Sequence, residues 1–309
     1  MTLSGVGTRL GRWNSSQCGG VSYFMITTLD APVDVRAFHD AIYAGEILRF
    51  RNIESMQQLV ARLRELAVAA TAPHDPITLH QMVEHLEAIE LLDKYQEAAL
   101  TDSSVVRLWH DTLATIGLRA QDTAVDRLLA RVQTPRTSEE TIDLVTAPLD
   151  THRDTWASNL YEQVNWWAPI YDIDESATME LYPGSFDSAV PNTSEDFDIV
   201  ELRKEPVNST KVVPRLLEPV IDESAFRVVI EPGDLLAFSG AHLHRSVPNT
   251  TNRTRYSLDT RTIHIPDSLD GRGAHNVDGN APWRTPGWFN RIDGTPLHEI
   301  LGTEATATR

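Results

Sequence analysis

Apolar residues recur at helical spacing through the first half of the chain. In IESMQQLVARLRELAVAA, Met56, Leu59, Val60, Leu63 and Leu66 fall on one stripe, with Arg62, Arg64 and Glu65 mostly outside it. That spacing predicts an amphipathic helix burying a single face. HQMVEHLEAIELLDKYQEAAL, SSVVRLWHDTLATIGL and TAVDRLLARV carry similar patterns and predict further helices. Asp34, just ahead of VRAFHDAIYAG, reads as an N-cap and Gly45 as the stop of another. Between the helices, EILRF (residues 46–50) predicts an early strand.

After Pro135 the period shortens. TIDLVTA, QVNWWAPIY, ATMELY, FRVVI, DLLAF and RYSLDTRTIHI are short and β-rich, and Pro, Gly, Asn and Asp separate them. Short strands without long intervening helices predict an antiparallel barrel or jelly roll rather than a doubly wound sheet. The fold class expected is therefore a mainly β core with an α-helical layer. We expect one catalytic domain over residues 1–309: a helix-rich part (1–140), a jelly-roll core (141–268) and a loop-rich cover (269–309). The polar, acidic stretch at about 187–225 is too long for a hairpin connection and reads as a lid insertion.

Composition narrows the setting. With 309 residues and 41% hydrophobic content the chain can bury a full core, and its only cysteine, Cys18, excludes an internal disulfide. The apolar stretch GGVSYFMITTL is short and broken by Ser22, and no later run is long enough for a membrane span. A cytoplasmic protein without membrane association is expected. A formal charge of −17 argues against nucleic acid as a partner and favours a small-molecule substrate that is neutral or cationic.

Candidate chemistry begins at THRDTW. In a strand, His152 and Asp154 share a face and offer an imidazole and a carboxylate to one metal ion. Two histidines and a carboxylate around an octahedral ion leave open positions, the arrangement of non-haem Fe(II) oxygenases. The third ligand is sought in PGDLLAFSGAHLHRSVPNTTNRTRYSLDTR, where His242 and His244 compete because they would share a face.

Together these segments resemble the Fe(II)- and 2-oxoglutarate-dependent oxygenases of the phytanoyl-CoA hydroxylase-like group, over roughly residues 141–265. HRDTW resembles the family's His-x-Asp, VNWWAPIYDIDESATMELYPGSF its strand, acidic turn, strand and Pro-Gly-Ser segment, and GDLLAFSGAHLHRSVPNTTNRTRYS its distal histidine with a following Arg-x-Ser. The resemblance implies a double-stranded β-helix (cupin-like jelly roll). It also implies Fe(II) held by His152, Asp154 and His244, with 2-oxoglutarate and O2 as co-substrates. Arg255 would hold the distal carboxylate of 2-oxoglutarate, since a guanidinium can grip a carboxylate through two parallel hydrogen bonds. Ser257 lies on the same face, as do Arg253 and Arg261, the alternatives to Arg255.

Remaining positions are assigned by face. Asn165 is a contact to 2-oxoglutarate or substrate, or a structural amide, and Trp167, Arg261 and His242 are candidate substrate contacts. Trp156, Trp166 and Trp167 read as core, except that adjacent strand residues diverge, so one of Trp166 and Trp167 walls the pocket. Phe186 departs from the family's frequent PGSH, and the presence of Asp154 disfavours halogenation. The reaction expected is oxidation, most simply hydroxylation, of a C–H bond in a small specialised metabolite, releasing succinate and CO2. The alternatives are a hydrolase or isomerase using a redox-inactive metal such as Zn2+ or Mn2+, and a non-enzymatic cupin-like binding protein.

Overall fold

The computed structural model describes residues 26–135, 146, 148–198 and 214–308. The strand expected over 141–147 lies outside these apart from Thr146, as do Cys18 and residues 199–213 of the expected insertion.

In chain order the helical layer and the first strands are β1 (Thr27–Leu29), α1 (Val35–Tyr43), β2 (Leu48–Phe50), α2 (Glu54–Thr71), α3 (Leu79–Met82), α4 (His85–Thr101), α5 (Ser103–Ile116), β3 (Thr123–Val125) and β4 (Leu129–Gln133). The Asp34 carboxylate caps α1 by accepting from the Ala37 amide, and Gly45 follows the helix at φ +88°. Met56, Leu59, Val60, Leu63 and Ala67 form the buried stripe of α2. Asp102 caps α5, and Gly117 ends it in the left-handed region at φ +112°.

The core half contributes α6 (Thr155–Ser158), β5 (Gln163–Pro169), β6 (Met179–Leu181), β7 (Phe226–Arg227), β8 (Leu235–Ser239), β9 (His244–Ser246) and β10 (Arg255–His264), followed by α7 (Ile265–Leu269), β11 (Trp283–Arg284) and β12 (Asn290–Arg291). The larger sheet runs β1-β2-β8-β5-β10-β3-β12, with β4 also paired to β10, and only β1 and β2 run parallel. A second sheet, β7-β6-β9, is antiparallel. This is the two-sheet architecture of a double-stranded β-helix.

Alternation along the central strands separates two cores. Val164, Trp166 and Ala168 of β5, Leu235 and Ala237 of β8, and Tyr256 and Leu258 of β10 pack with the helices α1, α2, α4 and α5. Trp167, Leu236 and Phe238 point the other way, onto Met179 and Leu181 of the smaller sheet. Trp166 and Trp167 diverge as their adjacency requires. No helix among the described residues is long and apolar enough to cross a membrane.

Two expected elements change. The region around residues 80–100 breaks at Val83, giving α3 and α4 instead of one helix. TAVDRLLARV forms no helix: it becomes β3 and β4, both antiparallel to β10. From Leu129 onward it alternates, with Ala130 and Val132 in the helical core while Arg131 sits opposite Ser257. The sheet edge offered by β10 outweighs helix propensity in so short a segment.

Candidate active site

His152 and His244 come together as a β-bridge, each amide donating to the other's carbonyl at 2.9 Å. Directly opposed residues share a face, so the two imidazoles lie side by side with ring centroids 4.4 Å apart. His152 Nδ1 faces the Asp150 carbonyl at 2.7 Å and His244 Nδ1 the His242 carbonyl at 3.0 Å. A carbonyl only accepts, so both Nδ1 atoms carry the proton and both Nε2 lone pairs are free for a metal.

Asp154 does not lie in a strand, as the spacing suggested. It has helical dihedrals and starts α6, whose Thr155 amide is anchored on the Gly240 carbonyl. Even so, Asp154 Oδ1 is 3.2 Å from His152 Nε2 and 4.0 Å from His244 Nε2. The three side chains form a buried cluster able to hold a metal ion.

The second oxygen of Asp154 is fully engaged by protein. Arg261 Nε donates to Oδ2 at 2.7 Å, Asn165 Nδ2 at 2.9 Å and Gln163 Nε2 at 3.2 Å. Burial pushes the Asp154 carboxyl up, but the Arg261 guanidinium outweighs it and holds it well below the usual range. Arg261 also donates to Asp126 at 2.9 Å, and these carboxylates raise its pKa against the effect of burial. Burial, with the neighbouring His152, lowers His244 to about 4, so its imidazole is neutral and a competent ligand at pH 7.

A narrow cavity runs from this cluster along the inner face of β10. Trp167, Met179 and Phe238 line it together with Arg131 and Arg255. Arg255, Ser257, Asp259 and Arg261 alternate on one face of β10, opposite Trp167 and Asn165 of β5 and Arg131 of β4. Asp259 is neutralised by Arg131. Arg255 is buried, and Nη1 donates to the Thr178 carbonyl at 2.8 Å. Among the described residues its Nε and the Ser257 hydroxyl are buried without hydrogen-bond partners, and no carboxylate pairs with Arg255. Burial and the neighbouring Arg131 lower Arg255 to about 10, the signature of a cation short of a counter-charge.

The family follows from the sequence itself: the phytanoyl-CoA dioxygenase (PhyH) model matches residues 46–257. The chain belongs to the PhyH family. Its members have a cupin-type double-stranded β-helix, and its oxygenases use iron and 2-oxoglutarate. The His152, Asp154 and His244 cluster fits the PhyH iron site, and its donors are of the kind Fe(II) takes: two imidazoles and one carboxylate oxygen. No curated protein matches the sequence.

Solved structures similar to this PhyH chain include the non-heme monooxygenase ThoJ, at 15% identity and a TM-score of 0.46, covering 74% of this chain and 77% of that one. EvdO2 from Micromonospora carbonacea var. aurantiaca, complexed with 2-oxoglutarate, gives 14% and 0.45 over 76% and 92%. The epimerase SnoN, in complex with Fe3+, alpha ketoglutarate and nogalamycin RO, gives 14% and 0.38 over 82% and 98%.

Other expected contacts fall differently. His242 does not share a strand with His244. Strand β8 stops at Ser239, and His242 sits in the following turn with its Nε2 3.1 Å from the Gly45 carbonyl and its ring against Phe186. Its burial lowers it to about 3 and places it away from both cavity walls. Asn165 and Arg261 meet in the structure at the Asp154 carboxylate.

Four contributors escaped sequence reasoning. Gln163 carries a legible signal, since it lies two residues before Asn165 on the same strand face. Asp126 and Arg131 were hidden by reading their segment as helix. Arg153 had no signal: it is 1% exposed, and its guanidinium donates to the carbonyls of Ser185, Ser188 and Ala241 and to Asp278, tying the PGSF segment to the segment carrying His152.

A second cluster, His39, His264 and Asp267, has comparable composition. Here both carboxylate oxygens already accept from protein donors, Arg272 on Oδ1 and Tyr43 at 3.1 Å on Oδ2, and His264 Nδ1 lies 2.9 Å from Oδ2. It ties α1 to the end of β10.

Proposed function

We propose that this PhyH protein is an Fe(II)- and 2-oxoglutarate-dependent dioxygenase that oxidises a C–H bond of a small specialised metabolite, most simply by hydroxylation, with release of succinate and CO2. The observation that carries this reading is the pairing, within one narrow cavity, of the His152, Asp154 and His244 cluster with a buried arginine lacking a counter-charge. Iron, when bound, supplies O2 activation coupled to oxidative decarboxylation of 2-oxoglutarate.

The protein's own groups hold and orient. His152, Asp154 and His244 are the metal ligands, their lone pairs aimed by the Asp150 and His242 carbonyls and by Arg261, Asn165 and Gln163. Arg255 takes the distal carboxylate of 2-oxoglutarate and Ser257 donates a further hydrogen bond to it, which satisfies both orphaned donors. Trp167, Met179 and Phe238 wall the cavity with apolar surface and exclude water from the reacting groups.

The test is anaerobic addition of Fe(II) and then 2-oxoglutarate to the apoprotein. The weak visible charge-transfer band of the chelate is expected, together with its loss in His244→Ala. Tight metal binding without the band would overturn the reading in favour of a redox-inactive metal.

A further inference from the structure

The metal cluster also opens on a larger space. A cavity of about 880 Å3 shares His152, Asp154, Arg131 and Arg261 with the narrow one. It extends past β4 to Val106 and Trp109 of α5 on one side and to Trp288 and Ile292 of the C-terminal cover on the other. That volume lies near the top of the roughly 300–1,000 Å3 range of ordinary ligand sites, far more than a simple amino acid needs.

Two features of its wall, its apolar lining and its charge balance, describe the occupant. Away from the metal cluster the described lining is mainly apolar, and Val106 is 40% exposed. Its only carboxylates among the described residues, Asp126 and Asp154, are both bound to Arg261 and leave nothing for a substrate ammonium. Four arginines line it: Arg131, Arg261 and Arg291 are paired, with Asp259, Asp154 and Asp293, while Arg127 has no ion pair among the described residues.

We infer that this cavity takes a bulky, mainly apolar substrate bearing oxygen acceptors or a carboxylate rather than an ammonium group, with the carbon to be oxidised at His152 and Asp154. The inference rests on the dioxygenase reading and sharpens its substrate class. It runs against the preference for a cation suggested by the overall charge of −17, because the local wall has the opposite balance.

The test uses two probes with the same aromatic body and five-carbon tether, dansyl-6-aminohexanoate and dansylcadaverine, which end in a carboxylate and an ammonium. Each is titrated by fluorescence into the protein, with and without Fe(II) and 2-oxoglutarate under anaerobic conditions. The carboxylate probe is expected to bind one per chain, at least about tenfold tighter than the ammonium probe. Leu129→Trp, which fills the cavity from β4 away from the metal ligands, should abolish binding with the anaerobic band retained. Equal or reversed preference, no binding of either probe, or binding indifferent to that variant would overturn the inference. Loss of the band in the unaltered protein would instead overturn the dioxygenase reading, and probe binding to the apoprotein separates the two failures.

Discussion

Arg261 Nε donates to Asp154 Oδ2 at 2.7 Å, on the carboxylate oxygen other than the one facing the imidazoles. Asp154 is thereby held with one oxygen turned to the metal site and the other saturated by Arg261, Asn165 and Gln163. The buried carboxylate and the half-buried guanidinium form one unit with Asp126 behind it.

Removing the central cation should therefore cost stability as well as function. Arg261→Ala leaves the buried Asp154 and the half-buried Asp126 without their partner, a change of about 3–5 kcal/mol in unfolding free energy by chemical denaturation. Asp126→Ala in the same background should cost less than it does alone, because one stranded charge is gone. Additive effects would show that the two residues are not coupled.

Asp154→Gly should abolish turnover while leaving three donors converging on the vacated position. Added formate, a carboxylate small enough to enter, should restore part of the Fe(II) affinity and of the 2-oxoglutarate consumption. Full activity of the variant without formate would remove Asp154 from the ligand set.

Arg255→Ala should raise the 2-oxoglutarate concentration needed for half-maximal turnover by at least about tenfold, since a charge-assisted bidentate contact is lost, with Fe(II) affinity unchanged. Ser257→Ala should produce a smaller shift in the same direction. An unaltered co-substrate requirement in Arg255→Ala would send the search to Arg253.

Acid should destabilise the metal-free protein from near pH 6.5 downward. Burial, with His264 alongside, lowers His39 to about 4, whereas the unfolded chain takes up that proton near 6.5. Between these values the unfolded state binds more protons, so stability falls as pH falls, by roughly 3 kcal/mol for this group across the window. Melting temperatures at pH 7 and pH 5 should diverge, and His39→Gln should reduce the difference. An unchanged slope in that variant would assign the acid sensitivity to other groups.

Much of the site was legible as local pattern. His152, Asp154, His244, Arg255 and Ser257 sit in short motifs whose spacing survives whatever the surrounding loops do. Gln163 and Asn165 could be joined by strand alternation alone. Arg153, Asp126 and Arg131 could not, because each acts through partners far along the chain: Arg153 through Asp278, Asp126 through Arg261 and Arg131 through Asp259.

The amino-acid sequence by itself determined the helical stripe of α2, the caps at Asp34 and Gly45, the opposed faces of Trp166 and Trp167, and the donor chemistry of the metal cluster. These depend on periodicity and side-chain type, which are local properties. Only the tertiary structure decided that residues 123–125 and 129–133 are strands, that His242 turns away from His244, and that Arg261 and Asn165 grip Asp154. Each of those outcomes is set by what lies opposite across the sheets and by the cost of leaving a buried charge or donor unpaired, and neither is written in any single stretch of the chain.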